Sequence, residues 1–243
     1  MVFIKLILGD CLKVLPTIED NSIDLIVTDP PYNVDLEYPN YNDNQTEEKY
    51  LEMLENFLRE SYRVLKPKGQ IYIKIGKGYI FKLREIGEKV GLKYNDVLIW
   101  VTNEYKGRAK GYFWYNSYEP ILFMYKDKMK KLNNCYELGI ASTNVLKLRS
   151  CYRNSLNIYN KKYHIAQMPY EIPYIIIAKT TNVNDVVLDP FLGSGTTLLA
   201  CKMLKRNGIG IDIDPKAIEI AKKRLNFNSS LDKTIEWIFQ NSL

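Results

Sequence analysis

The sequence predicts an α/β fold, a mostly parallel β-sheet with helices on both faces. Three observations predict it. Short apolar runs such as Ile23–Thr28, Val186–Asp189 and Gly208–Ile211 read as buried strands rather than half-wet ones. Segments with helical spacing fall between them, and strands alternating with helices argue for parallel connections. Two of the strands lead into carboxylates, Asp189 and Asp212, and a third into Asp29, so polar chemistry collects where strands end.

The elements follow in order. Phe3–Leu8 is a strand ending at Gly9-Asp10, and Cys11–Ile18 a short helix. The strand Ile23–Thr28 runs straight into Asp29-Pro30-Pro31-Tyr32. The stretch from Asn33 to Asn44, rich in Asn, Asp, Tyr and Pro, is expected to be a loop acting as a mobile lid. Thr46 is placed to cap the next helix, with Glu47 and Glu48 in its first turn. Leu51, Leu54, Leu58 and Leu65 share one helical face, and Lys66-Pro67-Lys68-Gly69 stops the helix before the strand Gln70–Ile75.

Lys82–Val90 reads as a helix and Val97–Val101 as a strand. Thr102–Ser117 is expected to be a polar loop, followed by the strand Pro120–Tyr125. From Lys126 to Tyr163 nine basic residues stand against two acidic ones, while the whole chain carries a net charge of only +6. Tyr136, Tyr152, Tyr159 and Tyr163 are interleaved with these charges, a composition suited to nucleic acid. The segment has no clear period and is expected to be an irregular insertion outside the sheet. Pro169–Thr180 returns to helix, with Pro173 near its first turn. The strand Val186–Asp189, the helix Thr196–Lys205, the strand Gly208–Ile211 ending at Asp212, and the helix Pro215–Asn226 complete the chain.

Composition narrows the function. An apolar fraction of 46% and a charged fraction of 26% are those of a soluble globular protein. No apolar run reaches the roughly 18 residues of a membrane span. The N-terminus does not read as a secretory signal, so a cytoplasmic location is expected. Cys11, Cys135, Cys151 and Cys201 show no CxxC spacing, and His164 is the only histidine, which argues against a metal centre and against His-dependent triads.

Between Asp189 and Thr197 a strand, a Gly193-Ser194-Gly195 turn and a helix build a small-molecule site. Asp212, ending the next strand, can accept both hydroxyls of a ribose, and Asp10 ends the first strand. A dinucleotide is disfavoured. Leu198 stands where a third glycine would fall, and a carboxylate at the loop's mouth would repel a pyrophosphate. S-adenosylmethionine (SAM) has a ribose, an adenine, an ammonium and no phosphate, and suits the same acids.

Asp29-Pro30-Pro31-Tyr32 offers an acceptor carboxylate, a rigid backbone with acceptor carbonyls and an aromatic face. Together these can hold a planar base bearing an amino group, once that base has left the duplex.

Here the chain resembles the amino-group DNA methyltransferases, which modify adenine N6 or cytosine N4. The resemblance covers nearly the whole chain apart from the basic segment and the last dozen or so residues. Asp29-Pro30-Pro31-Tyr32 matches the family's catalytic motif and Phe191-Leu192-Gly193-Ser194-Gly195 its SAM motif. The motif order is that of the permuted β class. Gly9-Asp10 resembles the acidic position near the SAM adenine, and Gly210-Ile211-Asp212 the ribose-binding acid. His164-Ile165-Ala166-Gln167-Met168-Pro169 resembles the segment lining the methionine end.

The resemblance implies a Rossmann-like domain with a seven-stranded sheet. Residues 1–125 would form its catalytic half, 126–163 a target-recognition insertion and 164–243 its SAM-binding half. It implies roles for Asp29, Pro30, Pro31 and Tyr32 in catalysis, and for Asp10, Asp189, Pro190, Phe191, Gly193, Ser194, Gly195, Thr196 and Asp212 in holding SAM. Double-stranded DNA is the expected partner. Lys106, Arg108, Lys110, Lys128, Lys130, Lys131, Arg149 and Arg153 are expected to contact its phosphates. Whether the chain works alone or as a homodimer is left open.

Within the family an aspartate opening the motif, with Asn33 after the tyrosine, goes mostly with adenine N6, and serine with cytosine N4. Protein-glutamine and tRNA-guanine methyltransferases of similar motif place the SAM loop first. Cytosine-C5 chemistry needs a thiolate, in that family usually as Pro-Cys, and none of the four cysteines follows a proline. A catalytically silent nucleic-acid-binding module is the alternative of a different class.

Overall fold

A computed structural model describes residues 2–106, 116–135, 143–148, 167–226 and 235–239. The first strand, β1 (Ile4–Leu8), leads into helix α1 (Cys11–Val14) and a short 3-10 turn, and then β2 (Ile23–Thr28). A small hairpin, β3 (Glu37–Tyr38) and β4 (Tyr41–Asn42), precedes α2 (Glu47–Val64), β5 (Leu65–Lys74) and α3 (Ile80–Lys89). Next come β6 (Lys93–Lys106), β7 (Asn116–Tyr125) and β8 (Val145–Lys147). The last part contains α4 (Glu171–Thr180), β9 (Val186–Asp189), α5 (Thr196–Leu204), β10 (Asn207–Asp212), α6 (Pro215–Asn226) and β11 (Ile235–Phe239).

Among the described residues one sheet has nine strands in the order β11-β1-β10-β9-β2-β5-β7-β6-β8. The seven expected strands form its centre, and β11 and β8 extend it by one at each edge, both parallel to their neighbours. Only β7 runs against the rest. The fold is therefore the expected Rossmann-like one.

The apolar runs bury both faces, as their composition demands. In β2, Leu25 and Val27 join a core cluster with Ile172 and Ile176 of α4 and Leu198 of α5. Ile26, between them, points to the other side, among Tyr50, Leu54, Phe57 and Leu58 of α2. Tyr72 and Ile73 divide β5 in the same way. One charge in such a strand is costly unless it is paired, and Lys74 of β5 is buried.

Four expectations need correction. The Asn33–Asn44 stretch is a fastened hairpin, not a loose lid. The buried Asp43 carboxylate accepts the backbone N–H groups of Asn33, Val34 and Leu36 at 2.8, 3.1 and 3.0 Å. Asn33 closes the base by exchanging side-chain bonds with the backbone of Gln45. Thr46 occupies the N-cap of α2 but its side chain makes no capping bond.

The expected Thr102–Ser117 loop is partly sheet, since β6 and β7 pair out to Lys106 and Asn116; polar residues hide this ladder from a hydrophobic pattern. Finally, the basic insertion contributes β8 to the sheet edge. Its first residue, Lys126, is buried, and its ammonium donates to Asn21 Oδ1 and to the carbonyls of Tyr62 and Leu65.

The topology locates the functional cleft. From β9 the chain proceeds outward through β10, and from the adjacent β2 it proceeds the other way to β5. At such a reversal the connections diverge and leave a crevice beyond the carboxyl ends of the strands.

Candidate active site

The crevice is one continuous cleft, lined by Asp10, Asp29, Asp189 and Asp212 from the ends of four neighbouring strands. Pro31, Pro190, Phe191, Gly193, Ser194 and Thr196 also line it, with Gln167 and Met168 from the entry to α4. The hairpin residues Tyr38, Pro39, Asn40 and Tyr41 lie along its rim. Asn40 Nδ2 donates to Asp214 Oδ1 at 3.1 Å, so the hairpin tip is fastened to the approach to α6.

Asp189 is buried at the end of β9. Its Oδ1 accepts the Thr28 hydroxyl at 2.8 Å and the Phe191 N–H at 3.2 Å. Burial pushes its carboxyl up to about 7, against the lowering effect of these bonds. Among the described residues no cation forms an ion pair with it. A buried carboxylate facing a cleft without a cation fits a ligand that brings one, and SAM does.

Asp212 Oδ2 accepts the Gly193 N–H at 2.7 Å and Oδ1 accepts the Asp214 N–H at 2.8 Å. Burial raises its carboxyl to about 6. Each oxygen keeps acceptor capacity for a hydroxyl, as ribose binding requires. Asp10 caps α1 by accepting the Leu12 N–H at 3.0 Å and faces the same cleft.

The two glycines of the turn differ. Gly193 has φ +53°, and a Cβ there would enter open space. Gly195 has φ +78°, and its Cβ would lie 2.8 Å from Cβ of Ala221, so this glycine serves the packing of α5 against α6. Ser194 and Thr196 border the cleft, but their hydroxyls accept from Arg224 Nη1 at 2.8 and 2.9 Å. Arg224, a buried residue of α6 whose Nη1 also holds the Ser194 carbonyl, fixes the loop's shape and was not anticipated from the sequence.

At the Asp29-Pro30-Pro31-Tyr32 motif, Tyr50 of α2 donates its hydroxyl to the Pro31 carbonyl at 2.6 Å. Among the described residues no group donates to the Pro30 carbonyl. The Asp29 carboxylate accepts the Tyr32 hydroxyl on Oδ1 at 2.6 Å and the Lys74 ammonium on Oδ2 at 2.9 Å. Lys74 also donates to the Tyr32 oxygen at 2.5 Å and pairs with Glu119 of β7 at 2.7 Å. Burial pushes the Asp29 carboxyl upward while Lys74 and Tyr32 pull it down. The two carboxylates hold Lys74 protonated in spite of its burial. Lys74 and Glu119 were missed; a single Lys inside the apolar run Ile71–Ile75 was the available signal.

The expected phosphate contacts separate into groups. Lys128, Lys130 and Lys131 follow the end of β7, at the sheet edge opposite Asp29. Lys130 pairs there with Asp185 at 3.3 Å, ahead of β9, so the structure does not bring these three to the cleft. The backbone of Lys106 ends β6 on the cleft side; Arg108, Lys110, Arg149 and Arg153 lie outside the described residues, as does His164. On the same edge Lys77 stands 3.8 Å from the centre of the exposed Tyr118 ring and donates to Asn116 Oδ1.

Comparison with known proteins identifies the family. The N6_N4_Mtase family model, described as DNA methylase, matches residues 23–223. The type II methyltransferase M.HpaI of Haemophilus parainfluenzae is 38% identical over 236 residues, 91% of this chain and 74% of that protein. M.HinfI of Haemophilus influenzae is 32% identical over 242 residues, covering 89% and 67%. The crystal structure of the M1.HpyAVI–SAM complex superimposes with a TM-score of 0.71 at 28% identity, covering 92% of this chain and 99% of that one. The PvuII cytosine-N4-specific methyltransferase, at 22% identity and a TM-score of 0.77, shares the fold. The chain belongs to the amino-group DNA methyltransferases, SAM-dependent enzymes that methylate adenine N6 or cytosine N4.

Proposed function

We propose that the protein is a site-specific methyltransferase of the permuted β class, acting on the exocyclic N6 of adenine in double-stranded DNA. The observation that carries this reading is the placing of Asp29 in one cleft with Asp10, Asp189 and Asp212. Adenine is chosen because Asp29 opens the motif and Asn33 follows Tyr32, the form that goes with N6 methylation. The type II relatives favour a role in a restriction-modification pair.

When bound, SAM would supply an electrophilic methyl group to the target amine and leave as its neutral thioether, and the methylated amine would give up its surplus proton to water. Asp189 would hold the cofactor's ammonium, Asp212 the ribose hydroxyls, and Asp10 the adenine. The amine is a weak nucleophile because its lone pair is shared with the ring. Asp29 and the Pro30 carbonyl each accept one of its hydrogens, which localises the lone pair toward the donor. Tyr50, by occupying the Pro31 carbonyl, fixes the backbone that presents the Pro30 carbonyl. Tyr32 stacks on the base, which must leave the duplex at a cost of roughly a few kcal/mol. Phosphate contacts from Lys77, Lys106, Arg108, Lys110, Arg149 and Arg153 would offset that cost.

The test is direct. Unmethylated DNA is incubated with the protein and labelled SAM, digested to nucleosides and separated against N6-methyladenine and N4-methylcytosine standards. Label in N6-methyladenine is expected; label in N4-methylcytosine overturns the choice of base.

A further inference from the structure

We infer that Lys74, braced by Glu119, is a positioning residue for methyl transfer: it holds Asp29 ionised and fixed in orientation, and Glu119 cancels its charge where the amine becomes positive. The inference rests on the reading of Asp29 as the acceptor of the target amine.

The geometry carries it. Lys74 Nζ has three hydrogens and three acceptors, Asp29 Oδ2 at 2.9 Å, Glu119 Oε2 at 2.7 Å and Tyr32 Oη at 2.5 Å. No donor is left for a base, so Lys74 acts through its neighbours. Tyr32 in turn donates to Asp29 Oδ1 at 2.6 Å, so both carboxylate oxygens are tied and cannot rotate away. The side chains of Lys74 and Asp29 are 6% and 14% exposed, and that of Glu119 21%, so little solvent screens them.

A lysine alone would be a poor neighbour for this reaction. As the amine attacks, positive charge develops on its nitrogen, and an ammonium one carboxylate away would oppose it. With Glu119 the Asp29–Lys74–Glu119 cluster carries one net negative charge. Without Lys74 two carboxylates would share a buried site, and one would take up a proton. The other groups facing Asp29 are Tyr38 of the hairpin, Tyr50 of α2 and Asp189 of β9, and none supplies a cation.

The two partners are thus expected to move the acid limb of the rate–pH profile in opposite directions. Single-turnover transfer of labelled methyl to DNA, counted whatever base receives it, is measured across pH for the wild type, Lys74→Met, Glu119→Gln and the double variant. Lys74→Met is expected to raise the acid limb by about one pH unit or more, with activity recovering as pH rises. Glu119→Gln keeps the hydrogen bond, removes the like charge and is expected to lower the limb. The double variant returns it most of the way to the wild-type position. SAM affinity by calorimetry stays within about threefold throughout, because the cofactor acids are untouched.

A uniform fall in rate with an unmoved limb overturns the inference, as does a parallel loss of SAM affinity. If Lys74→Met does not fold, the downward shift in Glu119→Gln decides alone. Asp29→Ala separates the two levels. Retained activity there overturns the role of Asp29; lost activity with unmoved limbs in the other variants overturns only the role of Lys74.

Discussion

The Thr28 hydroxyl donates to the Asp189 carboxylate at 2.8 Å, joining residues 161 positions apart across the seam between β2 and β9. The residue before Asp29 and the residue that opens the glycine loop are thereby one hydrogen-bonded unit. Thr28→Val removes the donor and leaves a buried carboxylate oxygen short of a partner. The variant is expected to lose about 1–3 kcal/mol of stability, read by denaturant unfolding.

The proposed role of Asp189 would make cofactor binding depend on pH. Its carboxyl is raised to about 7 in the folded protein, against an ordinary carboxylate value in the unfolded chain. The folded state therefore holds a proton that the unfolded state has released, and this group's contribution to stability falls as pH rises toward 7. SAM needs the ionised form, so its affinity is expected to rise by up to about tenfold per unit below pH 7. Calorimetry on Asp189→Asn should show weaker binding and a flattened dependence.

Asp29 and Asp212 should separate chemistry from binding. Asp29→Ala is expected to abolish methylation while SAM affinity stays within a few-fold, because no cofactor-holding acid is altered. Asp212→Ala removes the acceptor of the Gly193 and Asp214 N–H groups as well as the proposed ribose contact. It is expected to weaken SAM by tenfold or more, about 1.4 kcal/mol. Unchanged affinity in Asp212→Ala would break the ribose assignment.

The glycines of the turn give a paired test. Gly195→Ala forces a methyl against Ala221 at a left-handed backbone position and should lower the unfolding temperature clearly, by several degrees for a cost of about 1–3 kcal/mol. Gly193→Ala meets open space and carries only the left-handed strain, about 1 kcal/mol. Its larger effect is expected on SAM affinity, since Gly193 lines the cleft proposed to hold the cofactor.

Much of this was readable in the sequence, and the failures have physical causes. β2, β9 and α6 appear with the expected bounds because unbroken apolar runs, terminal carboxylates and Pro215 punctuate them. The four acids were found because strand ends in this architecture converge. What escaped was pairing. Lys74, Glu119 and Arg224 lie far apart in the chain from the motifs they support, and no local pattern marks an ion pair formed across β5 and β7. The ends of β6 and β7 escaped because a ladder of polar residues shows no periodic apolar face. β8 has only three residues, too few for periodicity to register.

Lys126 illustrates the same point and leads further. Counted as one positive charge in a basic segment, it is instead a rivet, closing the carbonyl end of α2 at Tyr62 and Leu65. Seven residues on, Asn133 donates from its backbone to Lys179 and from its side chain to Ala178 and Thr181, fastening the chain to the end of α4. The take-off of the segment is thus set by bonds from Lys126, Asn133 and Cys135 to the ends of α2 and α4. The chain is anchored again at β8, where Leu146 is buried in the core and the Leu148 carbonyl accepts the Trp100 indole N–H, so a change of length here that spares the sheet has to respect both moorings.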